Sequence, residues 1–129
     1  MIESEFLKKY NLQNKINKLG YRYRGKKIVL YPAGEFCSEI MKNCDLSGLN
    51  ITGIADERFE QEKQNVFCGL NCIKPSDLKT LDYDVILVAD SDYKKYVTIL
   101  DEQILYGSKN AAIEIRPLIS LSFWDMLKG

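Results

Sequence analysis

The chain contains no histidine, so it lacks the side chain that proteins use most often as a general base near neutral pH. Its four cysteines, Cys37, Cys44, Cys68 and Cys72, are separated by seven, twenty-four and four positions, so no CxxC pair occurs. Zinc sites usually combine paired cysteines, or cysteines with histidines. The sequence therefore predicts reduced thiols and no metal site, and it disfavours an autonomous hydrolase.

The chain also has no excess of charge, since 18 basic residues balance 18 acidic residues. Without a net positive field, neither nucleic acid nor an anionic membrane is an expected partner. No apolar run approaches the roughly 18 residues that a membrane-spanning helix needs. The first residues, MIESEFLKKY, lack the apolar core of a signal peptide. We therefore expect a cytoplasmic protein, and 129 residues suffice for one folded domain.

What the sequence does contain is an alternation of apolar runs with helical patterns. This alternation predicts an α/β fold, in which helices cover both faces of a doubly wound, Rossmann-like parallel sheet of about five strands. Residues 1–25 are predicted as an extra N-terminal helix and connector, and residues 26–129 as the Rossmann-like domain. The predicted strands are 27–31, 50–55, a β-rich stretch over 66–73, 83–89 and 111–115. The predicted helices are 2–19 (closed by Gly20), 35–43, a short helix capped by Ser76, 91–105 and 120–129.

The stretch KKIVLYPAGEFCSEI, residues 26–40, places a small turn between a predicted strand and a predicted helix. In the pattern GxGxxG of dinucleotide-binding turns, Pro32, Gly34 and Cys37 would occupy the three glycine positions. Gly34 keeps the position that lets backbone approach a ligand, and the helix start offers free N–H groups to an anion. Pro32 removes one donor, and Glu35 would repel phosphate. The turn is therefore either a nucleotide site or a strand-to-helix corner.

Two further loops are predicted to lie beside this turn. Asp56 ends the second strand, 22 residues after Gly34, which is close to the spacing at which an acid binds ribose hydroxyls. It can equally be a turn former. Asp90 and Ser91 follow the strand expected beside the first one, and ligands bind where such strands end. The predicted binding residues are Ala33, Gly34, Glu35, Phe36, Asp56, Glu57, Arg58, Ala89, Asp90 and Ser91.

The series IVLYPAGEF, ITGIADER, VFCGLNCIKPSDL and YDVILVADS resembles a small Rossmann domain of bacterial nucleotide-sugar and polysaccharide proteins. That domain occurs at the front of nucleotide-sugar dehydratases and epimerases, in sugar acyltransferases and next to sugar methyltransferases. In the resemblance, the first turn of the family pattern corresponds to Gly34 and Glu35, and its acidic residue corresponds to Asp56. The next turn corresponds to Gly69, and the fourth strand corresponds to residues 84–89. Pro32, Cys37 and Cys72 depart from the pattern. The resemblance implies binding of NAD(P) or a nucleotide-sugar, and a sugar-modifying enzyme as partner.

The sequence shows no catalytic pair. The dehydratases and epimerases of the resembled family use Tyr-x-x-x-Lys, but Tyr93 is followed by Val97 at that spacing. Cys37, near a helix start, could have a lowered pKa and act as a nucleophile, although it is expected to point into the sheet.

Three interpretations follow from these patterns. The first is a nucleotide, nucleotide-sugar or dinucleotide binding domain that is not catalytic alone. The second is a regulatory or protein-interaction module that has lost its ligand. The third is a fragment of a nucleotide-sugar epimerase or dehydratase. The apolar residues within 123–127 could also form the contact surface of a homodimer.

Overall fold

A computed structural model of the chain describes residues 12–61, 65–107 and 113–119, and these form an α/β domain with a helix at the N-terminal side. The α/β class, a mostly parallel sheet and the N-terminal helix are thereby confirmed. In chain order, the elements are α1 (Leu12–Arg22), β1 (Ile28–Tyr31), α2 (Glu35–Asn43), β2 (Ile51–Ala55), a first 3₁₀ helix (Glu57–Glu60), β3 (Val66–Phe67), β4 (Leu70–Ile73), a second 3₁₀ helix (Pro75–Lys79), β5 (Val85–Val88), α3 (Tyr93–Ile99), a π-helix (Leu100–Ile104) and β6 (Glu114–Pro117).

Within the described residues, the sheet has six strands in the order β3-β4-β2-β1-β5-β6, rather than the five or so that were predicted. All neighbours pair in parallel except β3 and β4, which form an antiparallel hairpin. The hairpin turns at Cys68 and Gly69, both of which have positive φ angles. Every residue of the adjacent strands β1 and β5 is buried, as expected for strands covered on both faces.

Side chains alternate between the two faces of the sheet and build a hydrophobic core on each. Ile28 and Leu30 of β1 share one core with α1 and α2. Val29 and Tyr31 share the other core with the second 3₁₀ helix, α3 and the π-helix. The first core includes Leu12 and Ile16, so α1 belongs to the same folded unit as the sheet.

The prediction that Gly20 closes the first helix is wrong, because α1 continues through Gly20 to Arg22. Gly20 has a packing role instead. A Cβ atom placed there would lie only 3.0 Å from the carbonyl oxygen of Gly48, so the missing side chain lets the helix approach that loop closely. The chain turns later, at Gly25, whose φ angle is +76°. The earlier part of the predicted helix, residues 2–11, lies outside the described residues.

The predicted cap at Ser76 is also wrong. The second 3₁₀ helix is preceded by Lys74 without a side-chain cap, and the Ser76 hydroxyl instead donates a hydrogen bond to Glu60 at 2.7 Å. The helix predicted over 91–105 is divided into α3 and the π-helix. The last strand begins at Glu114, later than predicted, and the helix predicted over 120–129 lies outside the described residues.

The packing of α1 generates a first testable prediction. Replacing Ile16, which is 2% exposed, with alanine leaves a cavity under the sheet and should lower the free energy of unfolding by about 2–5 kcal/mol. Urea denaturation followed by circular dichroism measures this change. As a control on the exposed face of the same helix, Lys18→Ala should change it by no more than about 0.5 kcal/mol. An unchanged denaturation midpoint in Ile16→Ala would show that α1 does not belong to the cooperative core.

Candidate functional site

The loops predicted to converge lie at the carboxyl edge of the sheet, where β2, β1 and β5 end next to one another. The Ala89 N–H donates a hydrogen bond of 2.8 Å to the Tyr31 carbonyl, which joins the end of β5 to the end of β1. Asp56 follows β2 directly and contacts the turn that follows β1. The turn Pro32-Ala33-Gly34 therefore lies between the loops after β2 and β5.

Asp56 and Arg58 together clamp this turn. One carboxylate oxygen of Asp56, Oδ2, accepts the Ala33 N–H at 3.0 Å, and the other, Oδ1, accepts the Arg58 N–H at 3.0 Å. The Arg58 guanidinium donates to the Ala33 carbonyl. The peptide bond between Tyr31 and Pro32 is cis. Both backbone groups of the fully buried Ala33 thus have side-chain partners, and Asp56 acts first as a turn former.

Arg58 is held in place by aromatic rings as well as by the turn. Its guanidinium carbon lies 5.4 Å from the centroid of Phe59 and 5.0 Å from that of Phe67. Both distances are within the range of a cation–π interaction. The Arg58 side chain is therefore bound to the turn and to two aromatic rings of the same chain.

The backbone amides at the start of α2 are the groups at this edge that remain open to a ligand. Gly34 precedes the helix and provides no side-chain cap. The first backbone hydrogen bond of the helix runs from the Ser38 N–H to the Gly34 carbonyl oxygen, at 3.1 Å. Among the described residues, no acceptor binds the amides of Glu35 and Phe36, neither of which is fully buried. A Cβ atom at Gly34 would meet no other heavy atom within 4 Å, so the space above it is open.

Several carboxylates lie at the same edge of the sheet as these amides. Burial, followed by nearby carboxylates, raises the pKa of the Tyr96 hydroxyl. The exposed Glu35 side chain adds a further negative charge at the first position of α2. An anion at this edge is therefore attracted by the helix terminus and repelled by the carboxylates. The carboxylates that act on Tyr96 are those of Asp90, Glu57, Asp56 and Asp92.

Tyr31 organises the floor of this edge, and the sequence analysis did not select it. Its side chain is fully buried, and its hydroxyl donates a hydrogen bond to Glu57. Burial, followed by this bond, raises the pKa of Tyr31, so the hydroxyl stays protonated and continues to donate. The ring packs edge-on against Tyr96, with centroids 5.6 Å apart. Glu57, a predicted binding residue, is thus occupied by Tyr31.

The remaining predicted residues have separate positions. Ala89 is buried, and Phe36 is half-buried against the core under α2. Asp90 accepts the Asp92 N–H at 2.9 Å, which shapes the loop after β5. Ser91 is exposed, and its side chain has no hydrogen-bond partner among the described residues.

Cys37 does not have the chemistry of a nucleophile, so the hypothesis of a lowered pKa is wrong. Its side chain is fully buried under α2, with its sulfur 3.9 Å from that of Met41. Burial raises the pKa of the thiol to about 12, because the apolar surroundings disfavour the thiolate. Within the described residues, no group of histidine, cysteine, aspartate and glutamate side chains could hold a metal ion.

Three surface cavities, of about 410, 290 and 270 Å³, lie elsewhere, and none of the three is lined by Gly34 or Asp56. In the described part of the chain, no helix has the length and apolar character that crossing a bilayer requires. The carboxyl edge is therefore defined by its open amides and its carboxylates rather than by one of these cavities.

Comparison with protein families adds one finding to this geometry. A family model described as C2185-like, N-terminal, matches residues 24–114, which is more than half of the chain. The chain belongs to the C2185-like N-terminal family. No curated protein and no solved structure matches it. The range matched in this C2185-like domain includes the turn at Gly34 and the loops after β2 and β5, whereas α1 precedes it.

The clamp on the turn generates a second prediction. Asp56→Ala removes the acceptor of the Ala33 N–H, so the free energy of unfolding should fall by about 1–3 kcal/mol. Thermal or urea denaturation of the purified variant measures this loss. The control is Ser91→Ala at the same edge, which should stay within about 0.5 kcal/mol of the parent chain. Equal stability of both variants would contradict the structural role assigned to Asp56.

The burial of Cys37 generates a third prediction. With a pKa of about 12, only about one thiol in ten thousand is ionised at pH 8, so Cys37 should resist iodoacetamide in the folded chain. The exposed Cys68 should be alkylated first, and both should react in guanidinium chloride. Peptide mass spectrometry after timed quenching measures the two rates. Alkylation of Cys37 as fast as Cys68 under native conditions would contradict its burial.

Proposed function

We propose that this C2185-like domain is a Rossmann-like, doubly wound ligand-binding domain that binds a nucleotide or nucleotide-sugar beside Gly34 and is not catalytic alone. The observation that carries the proposal is the set of open amides at the start of α2, with free space above Gly34. A helix start with unsatisfied N–H groups and a partial positive charge attracts phosphate.

The strand order supports this location. The chain passes from β1 to β2 on one side, while β5 lies on the other side of β1. In open α/β sheets, ligands bind at the carboxyl edge where the strand order reverses in this way. Gly34 follows β1 at that edge, and the loops after β2 and β5 form the walls of the proposed site.

The charges at the edge define how a nucleotide would bind. Phosphate would contact the amides of α2 and stay away from Glu35, because like charges repel. The uncharged ribose would lie near Asp56, whose side chain is 16% exposed. A carboxylate oxygen that already accepts one hydrogen bond has a further lone pair, so Asp56 can hold Ala33 and still accept a ribose hydroxyl. The acidic walls make this site weaker than one with the full glycine pattern.

The partner and cofactor form part of the same proposal. The family description marks its members as N-terminal, which favours a domain that works with further protein. We propose a sugar-modifying enzyme as that partner, with NAD(P) or a nucleotide-sugar as the ligand.

A second function, a protein-interaction module without a ligand, is favoured by a different observation. Asp56 and Arg58 are both committed to Ala33, and Glu57 is committed to Tyr31. All of these bonds are formed within the chain itself. An edge of this kind can persist as a rigid scaffold after its ligand is lost.

The fourth prediction tests the proposed site. NAD, NADP, UDP and UDP-glucose are each titrated against the full chain by thermal shift. A ligand at 100 times its dissociation constant should add about 2.7 kcal/mol, which raises the melting temperature by several degrees. Gly34→Val places a branched side chain over the amides of α2 and should reduce the affinity for that ligand at least tenfold.

The control is Asn14→Val, which introduces the same side chain at an exposed position of α1, outside the carboxyl edge and the three cavities. It should leave the shift unchanged. An absence of shift with all four compounds would favour the interaction module. If the ligand still raises the melting temperature of Gly34→Val by the same amount, it binds somewhere other than the carboxyl edge.

A further inference from the structure

A second concave site lies at the opposite, amino edge of the sheet. A cavity of about 410 Å³ is formed between the end of α1, the turn before β1 and the loop before β2. Its volume falls within the range of small-molecule sites in proteins, which is about 300–1,000 Å³. The residues that contribute its chemistry are Asn17, Tyr21, Arg24 and Asn50.

Glycines shape this cavity. The close approach of Gly20 to the Gly48 carbonyl holds α1 against the loop before β2 and so fixes the two walls. At Gly25 and Gly48, a Cβ atom would meet no other heavy atom within 4 Å, so backbone rather than side chains faces the open space there. Backbone exposed in this way can be approached closely by a ligand.

The cavity has a positive charge that no described residue neutralises. No aspartate or glutamate lines it, and Arg24 forms no ion pair with the described residues. The nearby carboxylate of Glu114 is already occupied. It accepts hydrogen bonds from the Tyr23 hydroxyl and from Arg116, and it lies 3.9 Å from Arg22. Arginine in such a setting favours phosphate or carboxylate, because its fork of N–H donors matches their oxygens.

An aromatic ring stands beside this charge. Tyr21 is 76% exposed, and the Arg24 guanidinium carbon lies 6.0 Å from its ring centroid. The side-chain amide of Asn50 has no hydrogen-bond partner among the described residues, and it supplies both a donor and an acceptor. Exposed aromatic faces stack on flat rings such as nucleobases, and amides bind the polar edges of those rings.

We propose that this cavity binds a small anion carrying a flat heteroaromatic ring, of the mononucleotide class. The ring stacks on Tyr21, the anionic group pairs with Arg24, and Asn50 binds the polar edge of the ring. This site does not rest on the function proposed above, since the amides of α2 lie at the other end of β1.

The probes are AMP, adenosine and inorganic phosphate, titrated against the full chain by isothermal calorimetry. AMP should bind saturably and at least tenfold more tightly than either adenosine or phosphate, because only AMP offers both a ring and an anion. Arg24→Ala should reduce the AMP affinity at least tenfold and bring it close to that of adenosine. Tyr21→Ala should weaken AMP and adenosine alike. Circular dichroism verifies that each variant is folded.

Two valine variants test the location of this site. Gly48→Val fills the cavity and should reduce AMP affinity at least tenfold, whereas Asn14→Val, at an exposed position of α1 outside the cavity, should leave it unchanged. Loss of AMP binding in Gly34→Val but not in Gly48→Val would overturn this inference and support the carboxyl-edge site instead. The absence of saturable AMP binding, or equal affinities for AMP and adenosine, would also overturn it.

Discussion

The hydrogen bond from the Ala33 amide to Asp56 is the interaction on which the carboxyl edge depends. It links the turn after β1 to the loop after β2, and Arg58 closes the link by donating to the Ala33 carbonyl. Because Ala33 is fully buried, neither of its backbone groups could be left without a partner at little cost. The direction in which α2 leaves the sheet, and hence the orientation of its first amides, follows from this link.

The two edges of the sheet offer different electrostatic environments to a ligand. At the carboxyl edge, open amides lie at the same edge of the sheet as several carboxylates, and Arg58 is already bound to the turn. At the amino edge, Arg24 lines a cavity that contains no acidic residue. Where only backbone N–H groups contact an anion, binding depends mainly on hydrogen-bond geometry. Where a guanidinium has no acidic residue beside it, its full positive charge also attracts the anion. The two proposed sites therefore differ in how strongly ionic strength should affect them, since screening acts on the second more than on the first.

Sequence patterns were sufficient for the main elements and insufficient for the bonds between them. The run over 28–31 and the helix over 35–43 were predictable because apolar periodicity and the Pro32-Gly34 turn mark them locally. The position of Asp56 after β2 was predictable for the same reason. Its bond to Ala33 was not, because it joins residues 23 positions apart and depends on strand pairing. Likewise, a glycine at position 20 favours the end of a helix, but the helix continues there because Gly20 packs closely against Gly48.

The position of α1 has a consequence for how the domain can be divided. The family match begins at residue 24, just after α1 ends, yet Leu12 and Ile16 are almost completely shielded from water by the sheet and α2. A fragment that begins at residue 24 would keep all six strands but lose the part of the first core that α1 covers. Such a fragment would expose apolar surface and tend to self-associate, so a fragment designed to fold by itself should begin no later than Leu12.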